Sequence, residues 1–237
     1  MREKLSINDV HLGVIRASGT TPKTAADLRQ YLLSSLRCLL FKHLDKDVII
    51  NGDLFDTFNV PMPDVLAFYQ IATEWLQHSR GTCQLILGRG NHDFSKDSAK
   101  MSSFDFIAAI LAVQFPGRRV VAVTEPQMIF EGIYMIPHMP NQDMFDLELS
   151  RVPADASLVL VHANYDNEFA VESDHSLNVS REQAQKLTEA GVTLIFGHEH
   201  IQRNYANIII VGNQFPSSIA DCVGNDNKKA LIISCDS

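Results

Sequence analysis

Short apolar runs alternate along this chain with longer segments of helical periodicity. Residues 5–8 read as a first strand, 47–51 as a buried second and 84–87 as a third. Between them, 23–41 and 61–78 carry helical patterns, the second opening on prolines, which suit a first helical turn. Residues 103–113 read as another helix. From Arg119 the pattern changes to short strands at 120–123, 127–130 and 133–136, with Glu131-Gly132 as a hairpin turn. A buried strand follows at 157–161. Residues 180–190 form a predicted helix, capped by Ser180 with Gln183 three positions on and ended by Gly191. Apolar runs at 194–196, 208–211 and 230–233 complete the set. The alternation predicts α/β layers with sheets covered by helices, and the late strands predict a second sheet. No repeat, low-complexity stretch or linker interrupts it, so a single domain over 1–237 is expected.

Composition narrows the classes. With 46% hydrophobic residues in 237, a sizeable core is available. The net charge of −8 means that the chain does not passively attract a phosphate backbone, which needs Lys and Arg to neutralise it. Contact with nucleic acid would have to come from a local patch or from bound metals. No apolar run reaches the ~18 residues of a membrane span, and Met1-Arg2-Glu3-Lys4 leads straight into a strand and not into a signal-peptide stretch. Cys38, Cys83, Cys222 and Cys235 lack CxxC spacing, so reduced thiols and a cytoplasmic location are expected.

Five polar clusters stand at the ends of predicted strands: Asp9-Val10-His11, Gly52-Asp53-Leu54-Phe55-Asp56, Gly90-Asn91-His92-Asp93, Val161-His162-Ala163-Asn164 and Gly197-His198-Glu199-His200. Open α/β sheets bind ligands beyond the carboxyl ends of their strands, so five such clusters can converge on one site. They offer two aspartates, one asparagine and four histidines of metal-binding type, with one histidine over. In an extended segment Asp9 and His11, or His198 and His200, would face one side. Gly52 and Gly197 would let the backbone approach closely. Asp53 supplies a carboxylate able to bridge two ions, and Asn91 a neutral amide oxygen. Two divalent ions bring four positive charges; two aspartates leave a balance that one hydroxide and one phosphodiester would cancel. Metals ~3.5–4 Å apart clamp both oxygens of an in-line displacement. The mixed imidazole and carboxylate set favours Mn²⁺, with Fe, Zn²⁺ or Co²⁺ as alternatives, over Mg²⁺.

These blocks resemble the calcineurin-like metallophosphoesterases, with DxH, GDxxD, GNHD, a lone histidine after a strand, and GHxH, in order over positions 9 to 200. The resemblance implies a two-sheet β-sandwich flanked by helices, in four layers α/β/β/α. It implies that Asp9, His11, Asp53 and His200 hold one metal, and Asp53, Asn91, His162 and His198 a second. His92 would contact the phosphate and help protonate the leaving oxygen after attack by a metal-activated hydroxide. Asp56 and Asp93 would orient neighbours. The closest branch is the Mre11/SbcD nucleases, through Gly52-Asp53-Leu54-Phe55-Asp56-Thr57 before a Pro-rich helix start, the strand leading to His198 and His200, and the segment 211–219 with its closing strand. Asn213 departs from the usual serine there. This branch implies DNA as substrate, exo- or endonucleolytic cleavage and a Rad50/SbcC-like ATPase partner. Such nucleases continue into a capping domain and a partner-binding tail, whereas this chain ends soon after the core, so a compact version without the cap is expected.

Other readings stay open. Each histidine alone could be a hydrogen-bonded structural residue; five in these contexts argue against it. His138 reads as a loop histidine without a ligand role, and His43, His78 and His175 as solvated. Asp56 and Asp93 could be turn or cap residues. Arg89, Lys96, Lys100, Arg118, Arg119 and Arg203 are the basic candidates for meeting nucleic acid, with Arg89 best placed beside Gly90-Asn91-His92. Phe55, Phe58 and Phe94 could stack on bases or pack in the core. A small-molecule phosphoesterase, for a nucleotide, cyclic nucleotide or phospholipid precursor, is the main rival to a nuclease; a non-enzymatic scaffold is the second. A homodimer and the absence of a membrane partner complete the expectations.

Overall fold

The computed structural model describes residues 2–14, 21–95, 97, 99–117, 119–167, 176–218, 221 and 228–234. The readings made at Lys96, Arg118, His175, Ile219, Cys222 and Cys235 lie outside the described residues.

In chain order the first half runs β1 (Lys4–Ile7), α1 (Pro22–Phe41), β2 (Asp47–Asn51), α2 (Met62–His78), β3 (Leu85–Gly88), α3 (Ser103–Gln114) and β4 (Val120–Val123). The second half runs β5 (Gln127–Phe130), β6 (Ile133–Ile136), α4 (Gln142–Leu149), β7 (Leu158–His162), β8 (Asn164–Tyr165), β9 (Asn178–Val179), α5 (Arg181–Glu189), β10 (Thr193–Gly197), β11 (Arg203–Tyr205), β12 (Ile208–Ile210) and β13 (Leu231–Ile233). Every strand and helix expected from the pattern is present, with no boundary moved by more than one residue.

Caps explain the helix starts. The Thr21 hydroxyl accepts from Thr24 N, and Pro22 opens α1. Ser102 with Asp105, and Ser180 with Gln183, form reciprocal capping boxes on α3 and α5. The α4 helix had no counterpart in the sequence reading. Its signals are an Asn141 cap on Met144 N and a single buried apolar pair, Phe145 and Leu149, one turn apart.

One sheet has the order β13-β1-β2-β3-β4, in which β1 to β4 are parallel and β13 returns antiparallel to β1. The other has the order β11-β12-β10-β7-β6-β5, with β12, β10, β7 and β6 parallel. The expectation that late strands make up the second sheet holds for 194–196 and 208–211 and is corrected for 230–233. β13 pairs Leu5 with Ile232 and so belongs to the first sheet. The β5–β6 hairpin turns at Gly132, whose φ is +71°.

Three apolar layers hold the elements together. Leu32, Leu36, Phe68, Trp75 and Ile107 from the first three helices pack on the first sheet. Ile49, Ile86, Met135, Leu160 and Ile195 interdigitate between the sheets. Phe145, Leu149 and Ala184 cover the outer face of the second sheet, on Val161, Leu194 and Phe196. The result is the α/β/β/α arrangement, with the carboxyl ends of β1, β2, β3, β7 and β10 at a common edge. Among the described residues no helix is long and apolar enough to cross a membrane. Cys38 is an exposed free thiol and Cys83 a buried one.

Candidate metal centre

Beyond the strand ends, the loops after β1 and β2 zip together. Asp9 N donates to Gly52 O (3.1 Å), Val10 N to Asp53 O (2.9 Å), Leu12 N to Leu54 O (3.0 Å), and Asp56 N returns to Leu12 O (3.0 Å). These bonds hold the backbone in conformations that the extended-segment argument did not foresee. Asp9, His11 and Asp53 have φ of 53°, 51° and 49°, and His198 has 81°. Left-handed backbone at non-glycine residues costs roughly 1–2 kcal/mol each, and such strain persists where the surroundings over-determine it. Asp9 and His11 therefore reach the site through turns and not along a strand. The close approaches expected at two glycines are present. A Cβ on Gly52 would stand 1.9 Å from His162 Nδ1, and one on Gly197 would stand 2.5 Å from Asn51 O.

The side chains fall into two facing groups. Asp9, His11 and His200 offer ligand atoms within 4.8 Å of one another, as do Asp53, His162 and His198. In the first, His11 Nε2 lies 3.2 Å from His200 Nε2, and His200 Nε2 lies 4.0 Å from Asp9 Oδ1. In the second, Asn91 Oδ1 lies 3.0 Å from His162 Nε2 and 2.9 Å from His198 Nδ1. Asp53 Oδ2 sits between them, 3.3 Å from His162 Nε2 and 3.9 Å from His11 Nε2. A third group, His11, Asp56 and His92, overlaps the first. All seven expected ligands and His92 thus meet in one place. A cleft of about 210 Å³ opens on this cluster, lined by His11, Asp53, Asp56, His92, His198 and His200, together with Val14, Ser217 and Ser218.

This donor set fits divalent ions. Imidazole nitrogens aimed at one another and at a buried carboxylate satisfy each other poorly without a shared cation, as where His11 Nε2 faces His200 Nε2 and His162 Nε2 faces Asp53. Burial pushes the His11 imidazole down, but the Asp56 bond and the charges of Asp53 and Asp9 more than reverse this and raise it to about 9. Burial also opposes charge on His162, and Asp53 raises it to about 9 in turn. Burial holds the Asp53 carboxyl up, but His162, His11 and His92 bring it well below the usual carboxylate range. His198 is lowered to about 4 by burial and by His162.

Neighbours fix these groups. Asn8 Nδ2 donates to Asp9, whose carboxylate also accepts from His198 N at 3.0 Å. His162 Nδ1 lies 3.0 Å from Asn51 O, and His92 Nδ1 lies 2.5 Å from Asp56 O. The Asp93 carboxylate accepts from the main-chain N–H groups of Leu54, Phe55 and Gly90, tying two loops. Burial and the Asp53 charge nevertheless push Asp93 up to about 7. The Asp56 carboxylate lies 3.4 Å from His11 Nδ1.

Other expected residues lie elsewhere. The Arg89 guanidinium donates to Thr124 O and stacks on Phe94, and it does not line the cleft. Arg119 bonds Ser79 and Cys83 O, Arg203 pairs with Glu199, and Lys100 with Asp97. Phe55 is fully buried against Phe68, which removes it as a base-stacking surface. Phe58 and Phe94 are half-buried. His138 is buried, edge-on to Phe94, and burial lowers it to about 3. His78 is exposed and His43 half-buried. The sequence reading missed Asn8, whose only signal was its place beside Asp9, and Asp221. The Asp221 carboxylate accepts His200 Nδ1 at 2.7 Å, and nothing local in the sequence marks that pairing.

A family model for calcineurin-like phosphoesterases matches residues 5–202. No curated protein matches the chain. The match takes in strands of both sheets, from β1 to β10, and all five polar clusters. The chain belongs to the calcineurin-like phosphoesterase family and is a metal-dependent phosphoester hydrolase.

Proposed function

We propose that this protein is a dinuclear phosphodiesterase acting on DNA. The observation that carries the dinuclear reading is the pair of ligand groups, Asp9/His11/His200 and Asp53/His162/His198, facing each other across Asp53. Asp9, His11, Asp53 and His200 would hold one ion, and Asp53, Asn91, His162 and His198 the other, with Mn²⁺ as the expected metal. Bound there, two divalent ions would supply Lewis acidity toward phosphoryl oxygens and a water of lowered pKa.

The chain's own groups do the rest. With Nδ1 committed to the Asp56 carbonyl, that nitrogen carries its proton, and His92 Nε2 is left to face the cleft, 4.0 Å from Asp53. Protonated at Nε2, it donates to a phosphoryl oxygen and then to the departing ribose oxygen. Asp93 holds the loop that carries Asn91 and His92 against the loop that carries Asp53. The left-handed turns at Asp9 and His11 keep the ligand set assembled before substrate arrives.

DNA is favoured by the motif resemblance, which extends past the metal blocks into 211–219. One observation favours the second reading, a small-molecule phosphoester: every described basic candidate is engaged away from the cleft. The deciding experiment is hydrolysis of end-labelled single- and double-stranded DNA with Mn²⁺, beside bis-p-nitrophenyl phosphate, with His92→Ala as control. DNA cleavage lost in the variant supports the nuclease. Ester hydrolysis with intact DNA moves the reading to a small substrate.

We also propose a second copy of this chain as partner, seated on α2 and α3. Their outward faces join through Tyr69 Oη donating to Gln114 Oε1 at 2.7 Å. Met62, Leu66, Phe106, Ile110 and Val113 are 62%, 52%, 38%, 37% and 84% exposed there. The exposed residues of α3 (Phe106, Ala109, Ile110, Ala112, Val113 and Gln114) include no charge. An uncharged face spares a chain of net charge −8 the self-repulsion that its remaining surface would cause.

A further inference from the structure

Asp221 lies beyond the family-matched residues 5–202, yet it closes the outer side of one metal-facing histidine. The outer nitrogens of His162 and His92 rest on main-chain carbonyls, those of Asn51 and Asp56. His200 differs: its Nδ1 meets a carboxylate, Asp221 Oδ1, at 2.7 Å. That carboxylate is itself immobilised. Its Oδ2 accepts from Ser217 N (2.9 Å), Ser217 Oγ (3.0 Å) and Ser218 N (2.8 Å), and Asp221 N returns a bond to Ser218 Oγ at 3.3 Å. Asp221 is 6% exposed. Among the described residues, three donors meet one oxygen and the imidazole meets the other.

A carboxylate has no proton to give, so His200 Nδ1 carries the hydrogen. Its Nε2 lone pair then faces the cleft, where it lies 3.2 Å from His11 Nε2 and 4.0 Å from Asp9 Oδ1. A ring held this way is pre-oriented as a ligand, and the charge behind it strengthens the nitrogen as a donor to a cation. We infer that Asp221 is a positioning residue that fixes the His200 tautomer and sets how tightly the Asp9/His11/His200 side of the cleft binds its ion. The inference rests on the dinuclear reading. It gives the chain a determinant of metal affinity outside the family's motif blocks.

The test is Mn²⁺ titration calorimetry of the purified full chain, wild type against Asp221→Asn, with the thermal midpoint of each metal-free protein and long-range ¹⁵N–¹H spectra of the histidine rings. Wild type should bind two Mn²⁺. The variant should keep one site unchanged and lose roughly 10- to 100-fold in affinity at the other, while the neutral His200 ring shifts from a pure Nδ1–H tautomer to a mixture. Ser217→Ala, which leaves the carboxylate and two of its donors, should fall between the two. Unchanged affinity at both sites, or an unchanged ring tautomer, overturns the inference. Equal weakening of both sites with a lowered thermal midpoint overturns it as well, since that is a merely structural role. A wild type binding fewer than two Mn²⁺ sinks the dinuclear reading itself, while the tautomer spectra still judge the Asp221–His200 contact.

Discussion

His162 Nε2, at the end of a strand in one sheet, lies 3.3 Å from Asp53 Oδ2, at the end of a strand in the other. The same ring rests its Nδ1 on Asn51 O, two residues before Asp53. One imidazole thus registers the two sheets on each other at the point where the metals are proposed to bind. Asp53 faces His162 on one side and His11 on the other, so its loss should not be confined to one ion. Asp53→Ala is expected to remove both metals and all turnover. Retention of two ions per chain, measured by atomic emission on dialysed protein, would sink the bridging assignment.

His92 is placed as a proton donor and not as a ligand. His92→Ala should lower kcat by roughly 10²–10⁴-fold, the usual worth of a positioned acid or base, and leave metal content intact. If metal is lost with activity, His92 is a ligand, and the overlapping group of His11, Asp56 and His92 is the one that matters.

Gly52 has a φ of +89°, and an added methyl would overlap the His162 ring. Gly52→Ala combines left-handed strain with overpacking, a loss of about 2–6 kcal/mol from the two together. The thermal midpoint should drop, and the Asp53/His162/His198 site should lose its ion. A variant with wild-type stability and two metals would contradict the close approach.

The metal-free protein should be most stable near pH 6.5. His11 and His162 are raised from 6.5 to about 9 in the fold. Their contribution is full below 6.5 and is lost as pH rises through 9. His198 and His138 are lowered to about 4 and about 3, so stability is lost as pH falls from 6.5 toward those values. Asp93, raised from 3.8 to about 7, opposes the acid-side trend in part, because its folded-state proton is released as pH climbs to 7. Mn²⁺ must displace the protons of His11 and His162, so it should stabilise the protein more at pH 8.5 than at pH 6.5. Thermal midpoints of chelator-treated protein that rise steadily to pH 9 would refute this assignment of charge.

Val113→Glu places a charge in the middle of the uncharged α2–α3 face, at the residue with 84% exposure. Sedimentation should show a dimer for wild type and a monomer for the variant, with the fold unchanged because Val113 contributes little to the core. A wild-type monomer at tens of micromolar would end the proposal.

Much of this protein is written locally. Parallel strands buried on both faces read as short apolar runs, as residues 48–50 and 85–87 do, and polar clusters at their ends stand out by contrast. The Ser180 and Gln183 capping box is complete within four residues, and the hairpin at Gly132 is equally local. The α4 helix escaped because eight residues with two buried side chains carry almost no period. The expected roles of Arg89 and Phe55 turned on where their side chains point. Packing sent Arg89 to Thr124 and Phe94, and Phe55 into the core.

By itself, the order of residues determined which groups could bind metal, because strand ends and chemical type are properties of short segments. Tertiary structure decided how those groups are held. The left-handed turns at Asp9, His11 and Asp53 exist because loops 8–12 and 52–56 are hydrogen-bonded to each other, more than forty residues apart. The return of β13 to β1, and the contact of Asp221 with His200, likewise depend on pairing between distant segments. Such pairing is settled by burial and hydrogen-bond satisfaction across the whole fold, and no local pattern encodes it.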